Sequence, residues 1–170
     1  NGGHIDLPNE SWEYKYTDDL IIFGGGNGQP QNNNELNILC QDVIETAQKY
    51  SAKFIYTLGG FHTNRVLKNK PRTYVTTTSK GLRKQMEKLE LEMTPQKSLI
   101  IGFNGLILGF AKKYEIQGIG MYGELNKPEI PQYRAAISII KTIEKLTYRK
   151  FGSTEELEML AQEVDQKFRN

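Results

Sequence analysis

The chain is predicted to fold as an α/β protein, a three-layer α/β/α sandwich around a mainly parallel central sheet. Short apolar runs of strand length alternate with longer amphipathic stretches along the 170 residues. That is the pattern of strands and helices in turn, rather than of a bundle or a pair of sheets. Within Ser98–Glu124 the apolar run Leu99–Ile101 stops at Gly102-Phe103-Asn104-Gly105, a helix-length apolar stretch follows, and a second run, Ile119–Tyr122, stops at Gly123-Glu124. Strand, glycine turn, helix and strand in that order make one right-handed βαβ unit of a parallel sheet. Loops rich in glycine or asparagine follow most of the apolar runs, as turns between such elements require.

Taken in order, His4–Leu7 and Trp12–Tyr16 alternate in polarity and are joined by Pro8-Asn9-Glu10, which predicts an antiparallel hairpin. Asp18-Asp19 turns the chain into Leu20–Phe23, a wholly apolar run expected to be a strand buried on both faces. The loop Gly24–Gln31 leads to a helix over Glu35–Tyr50, with Leu36, Leu39, Cys40, Val43, Ile44 and Ala47 at helical spacing. Phe54–Leu58 is the next strand, ended by Gly59-Gly60, and Tyr74–Thr77 another, after which Thr78 or Ser79 caps a helix running through Leu89. In the βαβ unit Asn104 is the expected cap of the helix Asn104–Tyr114, whose apolar character on nearly every face places it inside the protein.

Pro131 suits the first turn of a helix with Ala136, Ile140, Ile143 and Thr147 on one face, broadened by Ile137 and Ile139. Ser153-Thr154-Glu155-Glu156 reads as a capping box that opens a last helix, with Leu157, Leu160, Ala161, Val164 and Phe168 along one stripe. With no internal repeat or low-complexity linker, residues 1–170 are expected to form a single domain.

Composition excludes more than it assigns. A net charge of +2 is too small to name a partner. Basic residues do concentrate between Arg65 and Lys88, where Arg65, Lys68, Lys70, Arg72, Lys80, Arg83, Lys84 and Lys88 face one acid, Glu87. Without interleaved aromatic residues or an RNA-binding motif, this reads as a solvated loop and helix face, and nucleic acid is not the expected partner. Cys40 is the single cysteine, so no internal disulfide forms, and its helical spacing marks a core thiol rather than a nucleophile. The longest apolar run, Leu99–Ala111, is too short to cross a bilayer. A cytoplasmic location is expected, although the chain starts at Asn1 without Met and a lost leader remains compatible with it.

The chemistry-bearing residues are sparse. Gly24–Gly28, Gly59–Asn64, Thr77–Lys80, Gly102–Gly105 and Gly123–Asn126 each follow an expected strand. In open α/β sheets the ligand crevice lies along that carboxyl edge, where backbone N–H groups can face an anion. On this reading Gly59, Gly60, Asn104, Gly105 and Glu124 line one concave ligand site, with His62 within reach as an acid–base group. Against it, such loops need glycine for their turns alone, and His62 reads more readily as a surface loop histidine than as an acid–base group. The Gly24–Gln29 loop has neither phosphate-loop spacing, no ligand-spaced His/Cys/Asp cluster suggests a metal, and no nucleophile with a base can be assembled. Glu124 is the best lone carboxylate. No catalytic residue, metal or cofactor is therefore expected.

Several of these residues together resemble a known family. Thr57-Leu58-Gly59-Gly60, the run from Ile101 through Gly102-Phe103-Asn104-Gly105 to Gly109, Gly118-Ile119 through Tyr122-Gly123-Glu124, and Gln29-Pro30-Gln31 are similar to the proteasome assembly chaperone 2 family, in its archaeal and bacterial branch. The resemblance runs from the Trp12 hairpin to about Val164. It implies a sandwich similar to nucleoside phosphorylases, homo-oligomer formation, and a non-catalytic role in assembling proteasome α-rings, with proteasome α subunits as partners. Prokaryotic members often carry a label linking them to ATP-grasp enzymes, which the lack of paired metal carboxylates here argues against. Two departures stand out. Members usually carry a further strand, glycine turn and helix before the equivalent of His4, so the expectation is that this first βα unit is either absent or belongs to a segment cleaved off or not included in these residues. Some end in a hydrophobic–tyrosine–any tail, which Phe168-Arg169-Asn170 does not match. The alternative reading is a small-molecule protein, for a nucleoside-like or nucleotide-like ligand, using the glycine-rich edge.

Overall fold

The computed structural model describes residues 12–25, 28–64, 70–95 and 100–168. Its elements run β1 (Trp12–Tyr16), β2 (Ile21–Gly25), α1 (Asn33–Lys49), β3 (Phe54–His62), β4 (Thr73–Thr77), α2 (Lys80–Lys88), β5 (Glu92–Met93), α3 (Phe103–Lys113), β6 (Gln117–Leu125), α4 (Tyr133–Thr147) and α5 (Glu155–Lys167). The central sheet has the order β3-β6-β4-β5. β3 and β6 are parallel, from Phe54 opposite Gln117 to His62 opposite Leu125, and β4 and β5 are parallel as well. The two pairs run in opposite directions and meet where β4 pairs antiparallel with β6, with Tyr74 opposite Tyr122.

Side chains alternate across this sheet and so feed two cores. On one side Val75, Ile119 and Met121 pack with Leu82 and Met86 of α2 and Ile139 of α4. On the other, α3 lies over β3 and β6 while α1 packs on α3, with Cys40, Ile44, Ile107 and Ala111 at their junction. α5 packs on α4. Three layers result, and β6 is their axis: every residue from Gly118 to Glu124 is buried. Each fully buried Ile or Met of these cores contributes about 1.5–3 kcal/mol. The helical period of α1 is realised as expected, with Leu36, Cys40, Ile44 and Ala47 buried, and Ser79 Oγ caps α2 by accepting from Leu82 N at 3.2 Å.

Local expectations fail where distant contacts decide. The run Leu20–Phe23 is not buried on both faces. It becomes β2 of a separate two-stranded antiparallel sheet with β1, and Ile22 is 56% exposed. Cross-strand aromatic pairs hold that hairpin, Phe23 against Trp12 at 5.1 Å and against Tyr14 at 4.7 Å, and Thr17 N closes its turn on Leu20 O. The expected partner His4–Leu7 lies outside the described residues. Ile100 and Ile101 form no strand, Leu99 being outside the description. The Ile100 carbonyl instead backs onto α3 at Gly105, where any Cβ would collide with it, so this segment serves the approach to the helix.

α3 begins at Phe103, and its cap position is Gly102 rather than Asn104. At φ 73° Gly102 occupies a backbone region that side chains disfavour, and a Cβ there would strike the Gln29 amide. Nor is α3 enclosed all round. Sheet and α1 cover two sides, and Gly109, Lys112 and Lys113 stay exposed.

Pro131 precedes the cap of α4, Gln132, and does not enter its first turn. Because α4 is held between sheet and α5, its most buried residues are Ala135, Ile137 and Ile139, while Ala136, Ile140, Ile143 and Thr147 are half-buried. The expected capping box of α5 does not form. Thr154 lies outside the extended region a capping side chain needs, and Ser153 Oγ accepts from Glu155 N at 3.2 Å instead.

Candidate functional site

β3 and β6 run side by side toward the expected site, with Gly59 opposite Tyr122, Gly60 opposite Gly123 and Phe61 opposite Glu124. Glu124 is 0% exposed. Its carboxylate accepts from Thr63 Oγ1 at 3.0 Å and from the Arg72 backbone N–H at 3.2 Å, and its own N–H donates to Arg72 O at 2.8 Å. The side chain therefore ties the end of β3 to the approach of β4, which is how a buried carboxylate becomes tolerable. The Arg72 guanidinium reaches elsewhere, to Glu92 Oε1 at 2.6 Å, and that contact holds it charged.

Asn104, in the first turn of α3, donates from Nδ2 to Leu58 O at 2.9 Å. Gly59 makes room for it: a Cβ there would sit 2.9 Å from that nitrogen and 3.1 Å from Tyr122 Cδ1. The N-terminal amide of α3 is likewise occupied, because Phe103 N donates to Gln29 Oε1 at 2.7 Å, 74 residues away in sequence. Trp12 and Phe23 pack on Phe103 beside this junction, at 5.9 and 5.8 Å. Deeper in the sheet the Tyr122 hydroxyl meets Thr57 Oγ1 at 3.3 Å, and burial pushes its phenol up.

Of the expected site residues, Gly59 and Asn104 are thus in contact, and Gly105 follows on α3 against Ile100. Gly60 backs onto the Leu125 side chain, and strand alternation places Gly60 and the exposed His62 on the opposite side of the sheet from Gly59 and Glu124. Gln29 is the contributor that residue-type reasoning passes over. Its only signal is its place in Gln29-Pro30-Gln31.

The antiparallel setting of β4 redistributes the loops. Its carboxyl end, Thr77–Lys80, lies beside Gly118 at the amino end of β6, so the loops do not share one edge. A cavity of about 240 Å³ opens there, lined among others by Thr76, Thr78, Ile100, Gly105 and Lys112. An adjoining groove of about 490 Å³ extends past Lys80, Arg83 and Thr94. Among the described residues no group of His, Cys, Asp and Glu could hold a metal ion, and no helix is long and apolar enough to cross a membrane. The Cys40 thiol is buried, and burial pushes its pKa up to about 11.

Fold and site together define an α/β sandwich in which the most conspicuous carboxylate holds strands together. A model of the PAC2 family matches residues 4–170, and the chain belongs to that family. It is 30% identical over 129 residues to "Uncharacterized protein MJ1210" of Methanocaldococcus jannaschii, a match covering 76% of this chain and 46% of that protein. Two solved structures from Pyrococcus furiosus share the fold. PbaA, described as an archaeal homolog of proteasome-assembly chaperone, superposes with a TM-score of 0.81 at 19% identity, over 93% of this chain and 64% of its own. PbaB, described as an archaeal proteasome activator, gives 0.78 at 23% identity, over 93% of this chain and 69% of its own. The chain spans about half the length of the curated relative and about two thirds of these structures.

Proposed function

We propose that the chain acts through contacts with other proteins rather than by catalysis: it forms a homo-oligomer in the cytoplasm and assists the assembly of proteasome α-rings. The outer edge of β3 carries this reading. Among the described residues no strand pairs with that side. The strand FIYTLGGFH holds no proline and no Asp, Glu, Lys or Arg, and its Phe54 and Leu58 are 40% and 51% exposed. Monomeric proteins ordinarily blunt such an edge with charge, proline or a bulge, and contiguous exposed apolar surface marks a contact site.

The chemistry supports the same reading. Hydrolysis or group transfer needs a positioned nucleophile or base, whereas Glu124 is engaged by Thr63 and Arg72, and Cys40 is buried with its thiol held neutral. The descriptions of PbaA and PbaB direct the partner assignment toward the proteasome. Affinity capture from native extract with the full-length protein tests it. Recovery of proteasome α subunits is expected, and their absence from an otherwise specific eluate would refute the partner.

A further inference from the structure

We propose that the groove between the end of β4, α2 and α3 binds a small phosphate-bearing ligand. α3 covers β3 and β6 but leaves the β4 side open, and the resulting groove of about 490 Å³ falls in the range of small-molecule sites, about 300–1,000 Å³. Its charge is one-sided. Lys80 and Arg83 of α2 and Lys112 of α3 line it, and among the described residues no carboxylate does. Arg83 shares its guanidinium with Glu87 at 2.9 Å, but among the described residues neither Lys80 nor Lys112 has an ion-pair partner. Two successive helices, α2 and α3, thus bring cations to one concavity, which a solvated helix face alone does not require.

The remaining polar lining suits the same ligand. Thr78 Oγ1 accepts from Gly118 N at 2.9 Å and Thr77 Oγ1 donates to Ser79 O at 3.1 Å, which holds the turn in place. The Thr76 hydroxyl has no hydrogen-bond partner among the described residues and lines both the groove and the adjoining cavity. Ammonium groups and a free hydroxyl converging without a carboxylate repel metal cations and favour phosphoryl oxygens, which accept charge-assisted hydrogen bonds. Among the described residues no aromatic side chain lines the groove to stack a base, which favours a small phosphate compound over a nucleic-acid strand.

Inorganic pyrophosphate and, separately, a nucleoside diphosphate titrated into the full chain by calorimetry and amide NMR test the proposal. Saturable binding is expected, with shifts concentrated at Thr76–Lys80, Thr94 and Lys112 and with affinity falling as salt is added. Lys80→Gln with Lys112→Gln should weaken it at least about tenfold at an unchanged melting temperature, since both side chains are exposed. Equal affinities assign the phosphates alone, and a tighter nucleoside diphosphate adds a nucleoside contact. No saturable binding of either probe at millimolar concentration, or equal binding by the double variant, would overturn the proposal.

Discussion

Replacing Glu124 by alanine strips the acceptor from Thr63 Oγ1 and from the Arg72 N–H at the meeting of β3, β4 and β6. An unsatisfied buried polar group costs about 1–3 kcal/mol, so Glu124→Ala should lose about 3 kcal/mol of stability in denaturant unfolding, and Glu124→Gln, which keeps one acceptor, about 1 kcal/mol. A Glu124→Ala protein as stable as the parent would contradict the role assigned to this side chain. Cys40 supplies a pH test. Burial raises its thiol from the ordinary 9.0 to about 11, so the folded state holds the proton more tightly than the unfolded chain. The contribution is complete below pH 9 and is lost as pH rises toward 11, about 2–3 kcal/mol in all, which unfolding curves across that window should record. Both residues were legible as types, a lone carboxylate and a thiol at core spacing. Their partners were not, because Thr63 and Arg72 lie 61 and 52 residues from Glu124.

Among the elements, the start of α3 depends most on distant chain. Gln29 supplies the acceptor that a local capping residue would normally give, and Gly102 provides the backbone conformation that admits it. Gln29→Ala is expected to cost about 1 kcal/mol, as loss of a helix cap does. Gly102→Ala should cost more, because an unfavourable φ adds about 1–2 kcal/mol to the clash with Gln29, and thermal melts of the two variants should fall in that order. Helices α1 and α2 were legible from period and cap, since their signals sit within a few residues. The pairing partner of β2, the direction of β4 and the irregular path of Ile100–Ile101 were not. A short apolar run states that it will be buried or paired, not beside which neighbour or in which direction. Thr77–Lys80 shows the consequence: read as one of several loops on a common edge, it borders a separate groove once β4 turns antiparallel to β6.

For the molecule as a whole, the three layers followed from the alternation of strands and helices, and the family from glycine motifs that the structure places at close packing contacts, such as Gly59 beneath Asn104. The open edge of β3 could not be read that way, because Phe54–Leu58 looks like any buried strand until its place in the order β3-β6-β4-β5 is known. That edge makes Leu58 the residue on which assembly should turn. Light scattering at micromolar concentration is expected to show an oligomer for the parent and smaller species for Leu58→Lys, with little loss of fold stability, since the side chain is 51% exposed.

The central claim, that this protein works by binding other proteins through its surface, is tested most directly by direct binding of purified proteasome α subunits to the full-length protein, beside Leu58→Lys. The account predicts retention by the parent, reduced retention by the variant, and no turnover of ATP or nucleosides by either. No retention by the parent, together with robust turnover that disappears in Glu124→Gln or His62→Ala while the oligomer stays intact, would contradict it and make the protein an enzyme.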